Sequence, residues 1–134
     1  MKKVCAACTV LDCTWIKAAP ERVFHVLTDG QELSHWWPKS AESEPRSGGR
    51  LKLVWSNGST HETAFERLIK NRRVSFPFYD QHIIFKLSRK KSGTSVEVIH
   101  ACSRRWEVHV ASCWGFLMGN LKAYIEHDVD LRVD

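Results

Sequence analysis

The chain has 134 residues, 43% of them hydrophobic, which is enough for one domain with a buried core, spanning 1–134, and leaves no room for a second. The net charge of +5 comes from basic residues scattered among Lys70, Arg72, Arg73, Arg89, Lys90, Lys91, Arg104 and Arg105. No nucleic-acid motif accompanies them, so nucleic acid is not an expected partner. The basic start Met1-Lys2-Lys3-Val4 is followed by an apolar run that ends at Asp12, and no longer apolar segment occurs, so neither secretion nor a membrane span is indicated.

Residues 3–17 are rich in Val, Thr, Cys, Leu, Trp and Ile without helical spacing and predict a long first strand. The five cysteines, an odd number, fit free thiols in a reducing cytoplasm better than a disulfide framework. Cys5, Cys8 and Cys13 do not make a metal site, because Cys5 and Cys8 point to opposite faces of a strand. Pro20 opens a helix where a missing N–H costs nothing, with Val23, Phe24 and Leu27 inward and Asp29-Gly30 as its stop. A second short helix follows at 31–35 and ends at Trp36-Trp37-Pro38. The polar segment 39–49 reads as a loop or weak edge strand.

Residues 50–55 and 60–69 predict strands joined by an Asn57-Gly58 turn, and 73–78, 82–89 and 94–102 predict three more. The hairpin contains a conflict. A two-residue turn pairs Ser56 with Ser59 and puts Glu62, Ala64 and Glu66 on the face of Leu51, Leu53 and Trp55. Either a bulge shifts the register and turns His61, Thr63 and Phe65 inward, or Glu62 and Glu66 are functional groups in a pocket.

The last stretch, 106–127, predicts one long helix. Val110, Trp114, Leu117, Met118, Leu121, Tyr124 and Ile125 recur at spacings of three and four and form an apolar stripe that needs a sheet to lie on. Ser112, Gly115, Gly119, Lys122 and Glu126 are expected in solvent, and Phe116 falls outside the stripe.

Ile16-Lys17-Ala18-Ala19-Pro20-Glu21-Arg22-Val23-Phe24, then Leu27-Thr28, Trp36-Trp37, Gly48-Gly49, Trp55-Ser56-Asn57-Gly58, His100, Trp114, Met118, Leu121-Lys122 and Tyr124 together resemble the START-like, or SRPBCC, superfamily. Within it they are most similar to the branch named after the C-terminal domain of the ATPase activator of the ninety-kilodalton heat-shock chaperone. The resemblance implies an α+β helix-grip fold: a curved antiparallel sheet of six to seven strands around a long C-terminal helix, with two short helices after the first strand. It also implies an apolar cavity between sheet and helix, for a lipid- or polyketide-like ligand.

Phe24, Trp36, Trp37, Leu53, Trp55, Phe76, Phe85, Val98, His100, Trp114, Met118 and Leu121 are the candidate cavity residues. His100 shares strand parity with Val96 and Val98 and so points inward. With Glu62, Glu107 or Tyr124 it could supply an acid, a base and a hydroxyl, provided these groups reach one substrate. No phosphate loop, dinucleotide fingerprint, Ser-His-Asp order or metal-ligand spacing occurs, and no cofactor is expected. The first reading is therefore a module that binds a hydrophobic small molecule without turnover. A cyclase- or hydrolase-type enzyme using His100 or an inward glutamate is the alternative, and a chaperone cofactor is the third. Phe116 and an unpaired sheet edge leave both monomer and homodimer open.

Overall fold

The computed structural model describes residues 8–132, so Cys5 and the start of the predicted first strand lie outside the described residues. The chain runs β1 (Cys8–Ile16), α1 (Pro20–Thr28), α2 (Gly30–Leu33), β2 (Ser40–Ser43), β3 (Arg50–Val54), β4 (Thr60–Ala64), β5 (Arg67–Ile69), β6 (Arg73–Phe78), β7 (Gln81–Lys90) and β8 (Gly93–Cys102). A 3-10 turn at Arg104–Trp106 then leads into α3 (Glu107–His127). Every strand pair is antiparallel, in a five-stranded sheet ordered β1-β8-β7-β6-β5 and a three-stranded sheet ordered β2-β3-β4. The long helix packed on this antiparallel sheet is the helix-grip arrangement, and no helix among the described residues is long and apolar enough to cross a membrane.

Among the described residues the strands number eight, because the predicted strand 60–69 breaks at Phe65-Glu66. Phe65 is 1% exposed, and its N–H and C=O bond to Gly49 O and Gly48 N at 2.9 and 2.7 Å. Glu66 N–H then donates to Ser75 O at 2.8 Å and hands the chain to β6. The hairpin before it has a three-residue loop, Ser56-Asn57-Gly58. Gly58 N–H donates to Trp55 O, and Trp55 N–H to Ser59 O, both at 2.9 Å, while Gly58 takes φ +87°, a left-handed conformation that suits glycine. Leu53 therefore pairs with His61 and Leu51 with Thr63. The register is the bulged one: Phe65 is buried, and Glu62 and Glu66 are exposed.

Asp29 ends α1 and caps α2, its Oδ2 accepting from Glu32 N–H at 3.1 Å. Gly30 sits so close to β2 that an added Cβ would lie 2.5 Å from Ala41 O. Along α3, Val110, Trp114, Met118 and Leu121 are buried, and Leu117, Tyr124 and Ile125 are half-buried against the same core. Ser112, Gly115, Gly119 and Phe116 face outward.

Lys122 and Glu126 depart from the expected solvent face. Lys122 Nζ donates to Trp15 O at 2.5 Å and to Glu126 Oε2 at 2.8 Å, and the same carboxylate accepts from Lys17 N–H at 2.8 Å. β1 ends the five-stranded sheet, and an edge strand leaves backbone groups unpaired. The two charged side chains satisfy part of that edge.

Candidate functional site

One cleft, about 340 Å3 in volume, opens between the first half of α3 and the ends of β6, β7 and β8. It is lined by Trp37, Trp55, Phe78, Tyr79, Gln81, His100, Trp106, His109, Val110, Cys113, Trp114 and Leu117. No lysine, arginine, aspartate or glutamate is among them. Larger grooves, about 460 Å3 in one case, run over the outer sheet face beside Arg72, Arg73, Lys86 and Glu97. The floor beside these four residues is made of charged strand side chains, so it lacks the apolar wall that holds a small molecule.

Trp37 is the hub of the aromatic wall. Its ring centroid lies 5.8 Å from Trp55, 5.7 Å from Phe78 and 5.4 Å from Trp114, with the rings tilted or edge-on, the favoured aromatic geometry. The segment after α2 has no regular structure to hold Trp37, and the chain beyond α3 supplies the support. Arg132 donates to Trp37 O at 2.8 Å, Pro38 O at 3.0 Å and Ser34 O at 2.7 Å. Asn120, fully buried in α3, donates to Trp36 O at 3.0 Å and Asp130 Oδ1 at 3.1 Å, and accepts from Leu131 N–H at 2.6 Å. Asp130, fixed by Arg132, is held down at about 2. Removing the amide with Asn120→Ala leaves the Trp36 carbonyl and the Leu131 N–H without this partner and is expected to cost about 2 kcal/mol. A urea titration would read this as a lower midpoint at unchanged slope; a loss under about 0.5 kcal/mol would show that the tail docks without Asn120.

At the other wall, Tyr79 turns the chain between β6 and β7 with φ +59°, an uncommon conformation for a bulky residue. Its ring stacks on His61 at 4.1 Å, its N–H donates to His61 Nε2 at 3.3 Å, and its hydroxyl accepts from Trp55 Nε1 at 2.8 Å. Burial pushes the His61 imidazole below its ordinary pKa. Cys113 and His109, one turn apart on α3, approach to 3.6 Å, and burial pushes the Cys113 thiol up.

His100 lies at the floor, 3% exposed. Trp114 Nε1 donates to its Nδ1 at 2.7 Å, and its Nε2 meets Gln81 Oε1 at 2.5 Å. Burial, with a smaller contribution from the charge of His82, pulls the imidazole down to about 4. The ring is neutral near pH 7, and both nitrogens are engaged.

The proposed acid, base and hydroxyl do not converge. Glu62 is exposed and pairs with Arg50 at 3.3 Å, because the bulged register turns it outward. Glu107 is exposed at the start of α3, in the first turn, before the helix reaches the sheet. Tyr124 faces α2, where its hydroxyl donates to Glu32 Oε1 and its ring stacks on His35 at 5.0 Å. There burial opposes the Glu32 charge, but hydrogen bonds from Tyr124 and Arg22 hold the carboxyl below its usual range.

Of the candidate cavity residues, Trp37, Trp55, His100 and Trp114 line the cleft. Trp36, Leu53, Phe76, Phe85, Val98, Met118 and Leu121 are packed into the core, with Phe24 half-buried against it. The middle of the sheet–helix interface is filled, and the open space lies at one end. Gln81, Phe78, Tyr79, Trp106, His109, Val110, Cys113 and Leu117 were missed as lining residues. Val110 and Leu117 carried a signal, since both fall on the apolar stripe of α3. No group of three or more potential ligands for a metal ion occurs among the described residues.

Three solved structures show the same fold at low identity. Protein SSP2350 from Staphylococcus saprophyticus has a TM-score of 0.86 at 18% identity, covering 95% of this chain and 98% of its own. The Aha1 dimer from Colwellia psychrerythraea has 0.79 at 22%, covering 90% and 97%. CalU16 from Micromonospora echinospora has 0.75 at 21%, covering 90% and 76%. No curated protein matches the chain. The family model described as Activator of Hsp90 ATPase homolog 1-like protein matches residues 17–126. With the match spanning most of its length, the chain belongs to the family of Activator of Hsp90 ATPase homolog 1-like proteins.

Proposed function

We propose that the protein binds a flat, uncharged, largely apolar small molecule, polyketide-like in its ring character, in the cleft at the first half of α3, and releases it unchanged. The observation that carries this reading is the lining itself: six aromatic side chains, Trp37, Trp55, Phe78, Tyr79, Trp106 and Trp114, and no fully charged residue type. A volume of about 340 Å3 falls in the range of small-molecule sites, though at its lower end. A rigid ring system suits such an open, aromatic-walled cleft better than a long acyl chain.

The enzyme reading draws less support. General acid–base work requires a group that can exchange a proton with substrate at working pH, and His100 has one nitrogen accepting from Trp114 and the other turned to Gln81. The described cysteines, Cys8, Cys13, Cys102 and Cys113, are all free thiols, which fits the reducing cytoplasmic setting proposed here.

Native mass spectrometry of the purified protein, before and after denaturation, tests this reading. The expected result is a co-purifying or added planar aromatic compound released intact. Failure to detect one, joined to no thermal stabilisation by a panel of planar polycyclic compounds, would overturn it. The same spectra report whether the chain is a monomer or a homodimer, as the Colwellia psychrerythraea protein is.

A further inference from the structure

The polar groups in the cleft are linked in a chain that has only one direction. An indole N–H can donate but never accept. Trp114 Nε1, 2.7 Å from His100 Nδ1, therefore fixes Nδ1 as the acceptor, and the proton of the neutral ring sits on Nε2. That N–H can bond only to an acceptor, so the atom facing it at 2.5 Å is the carbonyl oxygen of Gln81. The amide orientation follows from the indole, two links away.

The other end of the Gln81 amide carries two N–H donors, and its nitrogen has no hydrogen-bond partner among the described residues. Gln81 is half-buried at the start of β7 and lines the cleft. Its side chain cannot turn its oxygen to a ligand without leaving the buried His100 N–H unpaired, which is unfavourable. A donor held in place before the ligand arrives contributes affinity with little ordering cost.

We propose that the Gln81 amide N–H group is the polar recognition element of the cleft, selecting flat uncharged molecules that carry a carbonyl-type acceptor: a ketone, quinone, lactone or amide. This rests on the ligand-binding reading above and narrows the class of compound. Because His100 stays neutral down to about pH 4, the direction of the chain and the selectivity hold across the physiological range.

The test compares fluorenone with fluorene, two rigid tricyclic molecules of nearly the same shape that differ by one carbonyl, using tryptophan fluorescence at pH 8. The native chain is expected to bind the ketone about tenfold more tightly, as one hydrogen bond supplies. Gln81→Glu retains an oxygen for the His100 N–H and removes both donors. It is expected to abolish the preference, read as the ratio of the two affinities within each variant. Gln81→Met, which has no donor and no charge, is expected to do the same and guards against a charge effect of the first variant. Equal binding of the two compounds by the native chain, or a preference that survives in both variants, would overturn the role of Gln81 and leave the cleft reading standing. Binding of neither compound would overturn the inference together with the cleft reading.

Discussion

Replacing Trp114 with alanine is expected to lower the unfolding free energy by about 4 kcal/mol, the middle of the range for losing a buried large aromatic. The indole is 2% exposed and packs 5.4 Å from Trp37 and 5.5 Å, edge-on, from Phe85. Its removal opens a void where the core meets the cleft and leaves His100 Nδ1 without its donor. Trp114→Phe keeps the larger part of the packing while losing the N–H and the second ring, so a smaller loss of about 2 kcal/mol is expected. Chemical denaturation followed by circular dichroism measures both variants. A loss below about 1.5 kcal/mol for the alanine variant would mean that the neighbouring rings close the void, and that the wall is not rigid.

Acidification from pH 7 to pH 4 is expected to cost about 3 kcal/mol through His100 alone. The sign follows from the direction of the shift. The unfolded chain takes up a proton at the ordinary value of 6.5, whereas the folded chain takes it up only at about 4. Protons therefore favour the unfolded state throughout that interval, at 1.36 kcal/mol per pH unit. His61, also lowered by burial, adds a smaller loss of the same sign. The lowered carboxyls of Glu32, Glu66, Glu126 and Asp130 begin to give up their contributions as pH falls through the ordinary carboxylate range, so they add a loss of the same sign near pH 4. In His100→Gln, which has no titrating group there, the slope between pH 6.5 and about 5, above the carboxylate range, should shrink to the part due to His61. A variant that keeps the full slope would show that another group carries it.

The elements legible in the sequence are those whose signal is local. The stripe from Val110 to Ile125 located α3, since its buried positions depend only on helical periodicity. Strand parity placed His100 inward. Its meaning depended on Trp114 and Gln81, 14 and 19 residues away, and no local pattern joins those positions. Asn57-Gly58 marked the hairpin turn but not the register, because a left-handed glycine serves both a two-residue turn and a three-residue bulged loop. The pairing of Leu53 with His61 settled it, since that register buries Phe65 and leaves the two glutamates in water. Lys122 and Glu126 looked like solvent residues because charge alone says nothing about an unpaired edge at Trp15 and Lys17. The aromatic composition announced a wall. Whether Phe85 and Trp36 fill the interior or line a void is a matter of packing across distant elements, which composition does not contain.

The long helix is fastened unevenly. Its second half is tied down by Asn120 to the Trp36 carbonyl, by Lys122 and Glu126 to the edge of β1, and by Tyr124 to Glu32. Its first half has one side-chain hydrogen bond to the rest of the fold among the described residues, from Trp114 to His100, and that half forms a side of the cleft. Local opening is easiest where such ties are fewest. Amide hydrogen exchange in α3 is therefore expected to be faster from Val110 to Trp114, beside the cleft, than from Asn120 to Ile125, so that the helix loosens from one end.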